Sequence, residues 1–239
     1  MTPQSGTTIL SQILQSAVEF WLRSQAEQVE DLQVRILSRD PQLLGGYIPS
    51  LFLSSHYAIY QGLHLSQIQL KGDNLHIDLV SIIQGQPLRL LKPIVVTGEV
   101  LLKEAHLQAS LSSPLLLTAL SDLLLTLLDT CDDETLTCPL KSLPLNFKNV
   151  KIDRNKLSLG GHFTDTSQQF IPFYLETELT LVSPSQLRLS CITLKTPSDL
   201  LTIRIEAFEI DLGPQVNLEQ LTLIPGEVQC KGGITVIPK

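Results

Sequence analysis

The sequence predicts an α+β fold, with two helices set among roughly ten strands that are mostly sequential neighbours and therefore antiparallel. Three observations predict it. One hydrophobic pattern occurs three times along the 239 residues. Two other segments carry helical rather than alternating periodicity. Most of the remaining apolar residues alternate, which is the period of a half-buried strand.

The recurring pattern is Leu63, Leu65, Ile68, Leu70, Leu75, Ile77; then Leu145, Phe147, Val150, Ile152, Leu157, Leu159; then Val216, Leu218, Leu221, Leu223, Val228, Cys230, at offsets of 82 and 71 positions. In each copy apolar residues alternate, skip one extra position, alternate again, cross four polar or turn residues and resume. An extra residue at a bulge keeps the following segment on the same face instead of flipping it. The four-residue breaks, Lys71-Gly72-Asp73-Asn74, Asp153-Arg154-Asn155-Lys156 and Ile224-Pro225-Gly226-Glu227, carry residues that turns need. Three bent hairpins, 63–79, 145–161 and 216–232, each with one apolar side, are expected.

The first helix is expected over 8–28. There Ile9, Leu10, Ile13, Leu14, Ala17, Val18, Trp21 and Leu22 fall on one face, opposite Gln12, Gln15, Glu19, Arg23 and Glu27. Such a helix packs on a sheet; adsorption to a membrane is the alternative, against a polar face that is not basic. Val29, Leu32, Val34 and Ile36 then read as extended, followed by breaks at Asp40-Pro41 and Gly45-Gly46 and a strand pattern from Ile48 to Tyr60. Residues 94–111 read as strand, with Ala105, Leu107, Ala109 and Leu111 in phase.

The second helix, 113–129, opens on Ser112-Ser113-Pro114, a cap followed by proline at the first helical position. Its polar residues Thr118, Asp122, Thr126 and Asp129 form one narrow stripe, and the rest is mainly leucine. A helix this short and this apolar cannot span a bilayer and must be covered on several sides. It is either a central core helix or the wall of an apolar cavity lined by Leu116, Leu120, Leu123, Leu124 and Leu127. After the second hairpin, Phe173 to Leu181 alternate up to Ser183-Pro184-Ser185, Leu187, Leu189 and Cys191 alternate beyond it, and Asp199 to Leu212 forms a further strand.

Composition narrows the function. Leucine supplies 48 of 239 residues while aromatic residues are only 5%, an aliphatic surplus that suits acyl chains better than rings. A net charge of −7 without a lysine or arginine cluster argues against nucleic acid and against docking on strongly anionic bilayers. Met1 to Thr8 has no basic residue and does not read as a secretory signal, and no stretch reaches membrane-span length. One soluble, cytoplasmic domain over 1–239 is expected, at most peripheral to a membrane.

Catalytic signatures are absent: there is no G-x-S-x-G, P-loop, G-x-G-x-x-G or H-E-x-x-H. His56, His64, His76, His106 and His162 lack ligand spacing, and His64 and His76 read as exposed strand residues. The pairs Asp132 with Asp133 and Glu206 with Glu209 have no apolar wall beside them that would raise a pKa. No catalytic residue, metal or cofactor is expected. Cys191 and Cys230 occupy apolar strand positions and are expected to be buried thiols; Cys131 and Cys138 flank an acidic loop and could close a small ring if oxidised, which a cytoplasmic location disfavours.

Tyr60-Gln61-Gly62-Leu63-His64-Leu65-Ser66-Gln67-Ile68-Gln69-Leu70 resembles the LmeA-like phospholipid-binding proteins of bacteria. The likeness extends to Leu44-Gly45-Gly46-Tyr47-Ile48-Pro49-Ser50 before it, and to Thr97-Gly98-Glu99-Val100 running into Ser113-Pro114-Leu115-Leu116 after it. The resemblance implies an elongated, strongly curved antiparallel sheet wrapped around the two helices, similar to tubular lipid-binding folds, with an apolar channel. It also implies non-catalytic binding or transfer of a phospholipid or neutral glycolipid, with transient membrane contact. Leu65, Ile68, Phe147 and Val150 of the hairpins would then join the helix leucines in lining the channel, with Thr118, Asp122 and Thr126 one choice for the headgroup. A protein-interaction scaffold with a filled core, or a homodimer joined through strand edges, is the alternative.

Overall fold

The computed structural model describes residues 9–38, 40–79, 89–130, 140–165, 167–196 and 202–238. Helix α1 (Ile9–Gln25) leads to β1 (Gln28–Glu30), β2 (Gln33–Leu37), the short α2 (Asp40–Leu44), β3 (Tyr47–Ser55), β4 (Tyr57–Tyr60), β5 (Leu63–Leu65), β6 (Gln67–His76) and β7 (Ile94–Lys103). Helices α3 (Glu104–Ser110) and α4 (Pro114–Asp129) follow. Strands resume as β8 (Leu145–Asp153), β9 (Lys156–Thr164), β10 (Phe170–Ser183), β11 (Gln186–Lys195), β12 (Thr202–Asp211), β13 (Val216–Ile224) and β14 (Glu227–Val236).

The class is α+β with antiparallel pairing, as expected, but the described strands divide into three sheets. Their orders are β1-β4-β5, β12-β11-β10-β9-β8 and β13-β14-β7-β6-β3-β2. Two buried serines make the corners where the chain crosses from the six-stranded sheet to the three-stranded one and back. At the first, Ser55 Oγ lies 2.7 Å from the Glu30 carbonyl and 2.8 Å from that of Tyr57. At the second, Ser66 Oγ accepts the Lys103 amide at 2.7 Å. Each hydroxyl replaces a ladder bond that the corner breaks, because an unpaired backbone group inside the protein is costly.

The second and third copies of the pattern are the expected bulged hairpins. The register of β8 on β9 shifts between Phe147 and Asn149, and that of β13 on β14 between Leu218 and Gln220. These are the positions where the alternation skips. The turns use left-handed residues, Asn155 at φ +55 and Gly226 at φ +83. The first copy is not a hairpin. Lys71 to Asn74 stays within β6, where Lys71, Gly72 and Asp73 face Phe52, Leu51 and Ser50 of β3 while β7 pairs Lys71 and Gly72 on the other side. Ladder bonds on both flanks outweigh the local turn preference, and the skip at Ser66 becomes the corner between sheets rather than a bulge.

A second expectation fails just after β7. Alternation at Ala105, Leu107 and Ala109 suggests continued strand, yet Glu104–Ser110 is helical, so four helices occur among the described residues where two were expected. The cause lies in its polar residues, which face the free edge of β8. Glu104 Oε2 accepts the Ile152 amide at 2.7 Å and Gln108 Oε1 accepts that of Val150 at 2.9 Å, while Gln108 Nε2 donates to the Lys148 carbonyl. Helical spacing of four residues puts both side chains on one face, which a strand would also do but at more than double the separation.

The hairpin turns meet at the same place. The Gly226 amide donates to the Ile152 carbonyl at 3.0 Å, Asn155 donates to Leu223 at 3.2 Å, and Glu104 donates to Gly226 at 2.7 Å. These bonds tie the five-stranded sheet to the six-stranded one. Each sheet has its own core. In one, α4 packs Leu124, Leu127 and Leu128 against Phe147, Val150, Leu159, Phe163, Phe173 and Leu175. In the other, α1 and α2 pack Leu14, Val18 and Leu43 against Val34, Ile36, Ile48, Leu75 and Ile94. Helix α4 begins as the sequence requires, with Ser113 extended and its hydroxyl accepting the Leu116 amide at 3.1 Å ahead of Pro114.

Cys191 is exposed, not buried. It sits at φ +52, opposite a register shift between Glu176 and Glu178. That irregularity changes the phase of β11, so Ile192 and Leu194 turn inward and the thiol turns out.

Replacing Glu104 by Ala strands the Ile152 amide and should lower unfolding free energy by about 1–3 kcal/mol, whereas Glu104→Gln keeps an acceptor and should stay near wild type in a denaturant titration. Adjacent glycines should separate as sharply. A Cβ on Gly161 would lie 2.3 Å from the Asn146 carbonyl oxygen, whereas one on Gly160 would find nothing nearer than 3.7 Å. Gly161→Ala should therefore cost about 1–3 kcal/mol and Gly160→Ala less than about 0.5 in the same titration.

Candidate functional site

Register places aliphatic residues of five strands side by side on one face of the six-stranded sheet. One rung runs Leu53, Leu70, Gly98, Gly232, Leu218, and the next runs Ile68, Val100, Cys230, Leu221. Further towards β2, this face is covered by α1 and joins its core through Val34, Ile36 and Leu51. The two rungs belong to neither of the two large cores. All their members except Ile68 are only half-buried, and the two glycines put no side chain of their own on the first rung, where the Leu70 side chain lies against Gly98. The structure thus carries an uncovered aliphatic strip between two packed cores.

The opposite face of the same sheet is polar. A hollow of about 1380 Å³ at this sheet is lined by polar residues such as Gln33, Arg35, Lys71 and Glu99 together with Leu53, Leu70, Gly98 and Gly232 of the first rung. Lys71 is held by Asp73 at 2.7 Å, and Lys231 lies 3.6 Å from Glu99. The Lys71 ammonium and the Ser50 hydroxyl hold the Asp73 carboxyl below its ordinary value.

The expected lining residues fall in different places. Leu124, Leu127, Phe147 and Val150 are buried together inside the core of the five-stranded sheet, and Leu116, Leu120 and Leu123 are half-buried against it. Leu65 is half-buried in β5, and Ile68 lies in the aliphatic strip. Helix and second hairpin are therefore brought together, while Leu65 and Ile68 stand on other sheets. Thr118, Asp122 and Thr126 face solvent, with the Thr126 hydroxyl donating to the Asp122 carbonyl within the helix. Sequence reasoning missed Leu70, Val100, Leu218 and Leu221 as a group. Their alternation is visible, but only the pairing of β6 with β7 and of β7 with β14 makes them neighbours.

The histidines are more involved than exposed strand residues would be. His64 is half-buried with Nδ1 2.6 Å from the Tyr57 hydroxyl, and the Tyr57 ring lies 4.8 Å from that of His106. His106 Nδ1 in turn lies 2.8 Å from Ser66 Oγ. This serine–histidine pair is structural in arrangement. Ser66 is 7% exposed and its oxygen already accepts the Lys103 amide, and among the described residues no carboxylate bonds the second nitrogen of His106 to orient it as a catalytic imidazole. His76 is also half-buried, its ring 5.1 Å from that of Tyr47.

Glu206 and Glu209 are both exposed, and Glu209 pairs with Arg188 at 2.6 Å. Among the described residues no three His, Cys, Asp or Glu side chains gather as metal ligands. Cys131, Cys138 and the acidic loop between them lie outside the described residues. No single described helix is long and apolar enough to cross a membrane; α3 and α4 reach that length only together, and they meet at 88°.

A family model described as LmeA-like phospholipid-binding matches residues 6–233, nearly the whole chain. No curated protein and no solved structure matches.

Cys230 gives the aliphatic strip a chemical reporter, because burial pushes its thiol above the ordinary value while Cys191 is exposed. With Cys131 and Cys138 replaced by serine, iodoacetamide at neutral pH should label Cys191 well before Cys230, read by mass spectrometry of tryptic peptides. Equal rates would show that the half-burial of Cys230 gives its thiol no protection.

Proposed function

We propose, from the premise that the chain belongs to the LmeA-like phospholipid-binding family, that it binds or transfers a diacyl phospholipid or glycolipid without catalysis, in an apolar groove between sheet and helices. The observation that carries this reading is the uncovered aliphatic strip of Leu53, Leu70, Val100, Cys230, Leu218 and Leu221 between the two cores. Each methylene moved there from water contributes about 0.8 kcal/mol, so two acyl chains supply ample driving force. The surface is aliphatic rather than aromatic, which suits flexible chains of varied length.

In this reading the strip and Ile68 form the floor of the groove. The half-buried Leu116, Leu120 and Leu123 of α4, with Leu65 of β5, form the nearer wall, and Leu124, Leu127, Phe147 and Val150 stand behind it. The sheets curve around the helices as one lipid-binding domain spanning 1–239. Contact with a membrane is transient, for loading and release, and the protein is at most peripheral to it. The open edges β2 and β12 offer places for a homodimer.

Protein purified without detergent should release a single enriched diacyl lipid class on solvent extraction, identified by mass spectrometry against a matched soluble control. Replacing Val100 and Leu221 together by Trp should keep the circular dichroism spectrum and lower lipid occupancy at least about tenfold, equivalent to about 1.4 kcal/mol. Lipid uptake from vesicles should also slow Cys230 labelling in the cysteine-reduced background. A protein that arrives empty and takes up no lipid from vesicles is the scaffold instead.

A further inference from the structure

The outward face of the five-stranded sheet carries a notch with no part in the lipid groove. The bulge in β8 leaves Lys148 and Asn149 both exposed. Asn149 pairs with Gly160, Gly160 with Tyr174, and Tyr174 with Lys195, so one rung reads amide, bare backbone, phenol, ammonium. A Cβ on Gly160 would lie 3.7 Å from Asn149 Cβ and Nδ2, which places that amide at the wall of the gap. The neighbouring rung is Asn146, His162, Pro172. Phe170 closes this end, 68% exposed, with its ring 4.4 Å from that of His162. All of these except Lys195, which stands one strand further out, line a hollow of about 900 Å³ open to solvent.

Two features make this more than sheet surface. The side chains of Asn146, Lys148, Asn149 and His162 and the Tyr174 hydroxyl converge on one gap with no hydrogen-bond partner among the described residues. Two large aromatic side chains, Phe170 and Tyr174, stand in water on the same face four residues apart. No carboxylate lies on either rung, so nothing here selects a cation. An acyl chain would leave the amides and the imidazole unpaired, at a cost. A saturated ring with an apolar C–H face and a hydroxyl rim satisfies both halves of the notch: the face lies on the phenol, and the rim meets amides, imidazole and ammonium groups.

We propose that this notch binds a hexose ring, stacked on Tyr174 over Gly160 and hydrogen-bonded by Asn149, Asn146 and His162. The ring is either a free sugar or the headgroup of a glycolipid. The site is separate from the groove and stands whether or not the lipid reading does.

Gly160→Val fills the notch in an extended strand position with room for the Cβ, so the variant should fold as wild type. Tyr174→Ala removes the platform at an exposed position. The full-length protein is titrated with glucose, galactose and mannose by saturation-transfer NMR. Separately it is floated with phosphatidylcholine vesicles containing or lacking monohexosyl diacylglycerol. Binding of a soluble hexose that falls at least about tenfold in Gly160→Val, and about tenfold in Tyr174→Ala, assigns a sugar site. A response to the glycolipid vesicles alone, lost in the same variants, assigns a headgroup site. Wild type that responds in neither arm, or Gly160→Val that binds as well as wild type, overturns the proposal. A matching thermal transition for each variant keeps loss of binding distinct from loss of fold.

Discussion

Backbone hydrogen bonds at the open edge of β8 are the constraint on which the arrangement turns. A sheet that ends inside a protein exposes a row of donors and acceptors that must find partners. Here the row is met by two side chains of α3 and by the turn of a hairpin from the other sheet, through Ile152, Val150 and Lys148 on one side and Glu104, Gln108 and Gly226 on the other. A third strand in that place would have merged the sheets into one. A helix allows them to meet end to end and keeps their apolar faces distinct, each with its own covering helix.

That separation has a functional side. Two cores, each closed by one or two helices, cannot cover all the aliphatic surface of the long strands that connect them. The remainder is the strip along Leu70, Val100, Cys230 and Leu221, which is half-buried in a chain where leucine is the dominant residue. Sheet order thus creates the candidate acyl surface, and the leucine helix, which is the most apolar segment, spends its C-terminal half on filling a core instead.

How far the sequence is legible follows from which forces are local. The skips between Phe147 and Val150 and between Leu218 and Leu221 locate two bulges, because phase along one strand is written in that strand. The Ser113-Pro114 start of α4 is readable for the same reason. Lys71 to Asn74 is misread because its turn preference is real but yields to partners on both sides, β3 and β7, that no window around residue 72 contains. Residues 104–110 are misread because Ala105, Leu107 and Ala109 fit a strand, and the deciding contacts lie more than forty residues away on β8. Cys191 escapes because a bulge in β10 and β11 carries no signature in the alternation before it. The family likeness is legible throughout, whereas the lining of a groove is not, since it depends on which strands become neighbours.

The pairing of β7 with β14 joins Lys103 to Glu227 and Ile94 to Val236. The central strand of the N-terminal half therefore waits for the last strand to be synthesised. A nascent chain that has already formed β2, β3, β6 and β7 presents the free edge of β7, with Val96 and Val100 beside it, until the C-terminal residues leave the ribosome. The C-terminal sheet is a meander of sequential hairpins and can form locally, whereas the β7 edge stays open to wrong strand partners until the last strand arrives.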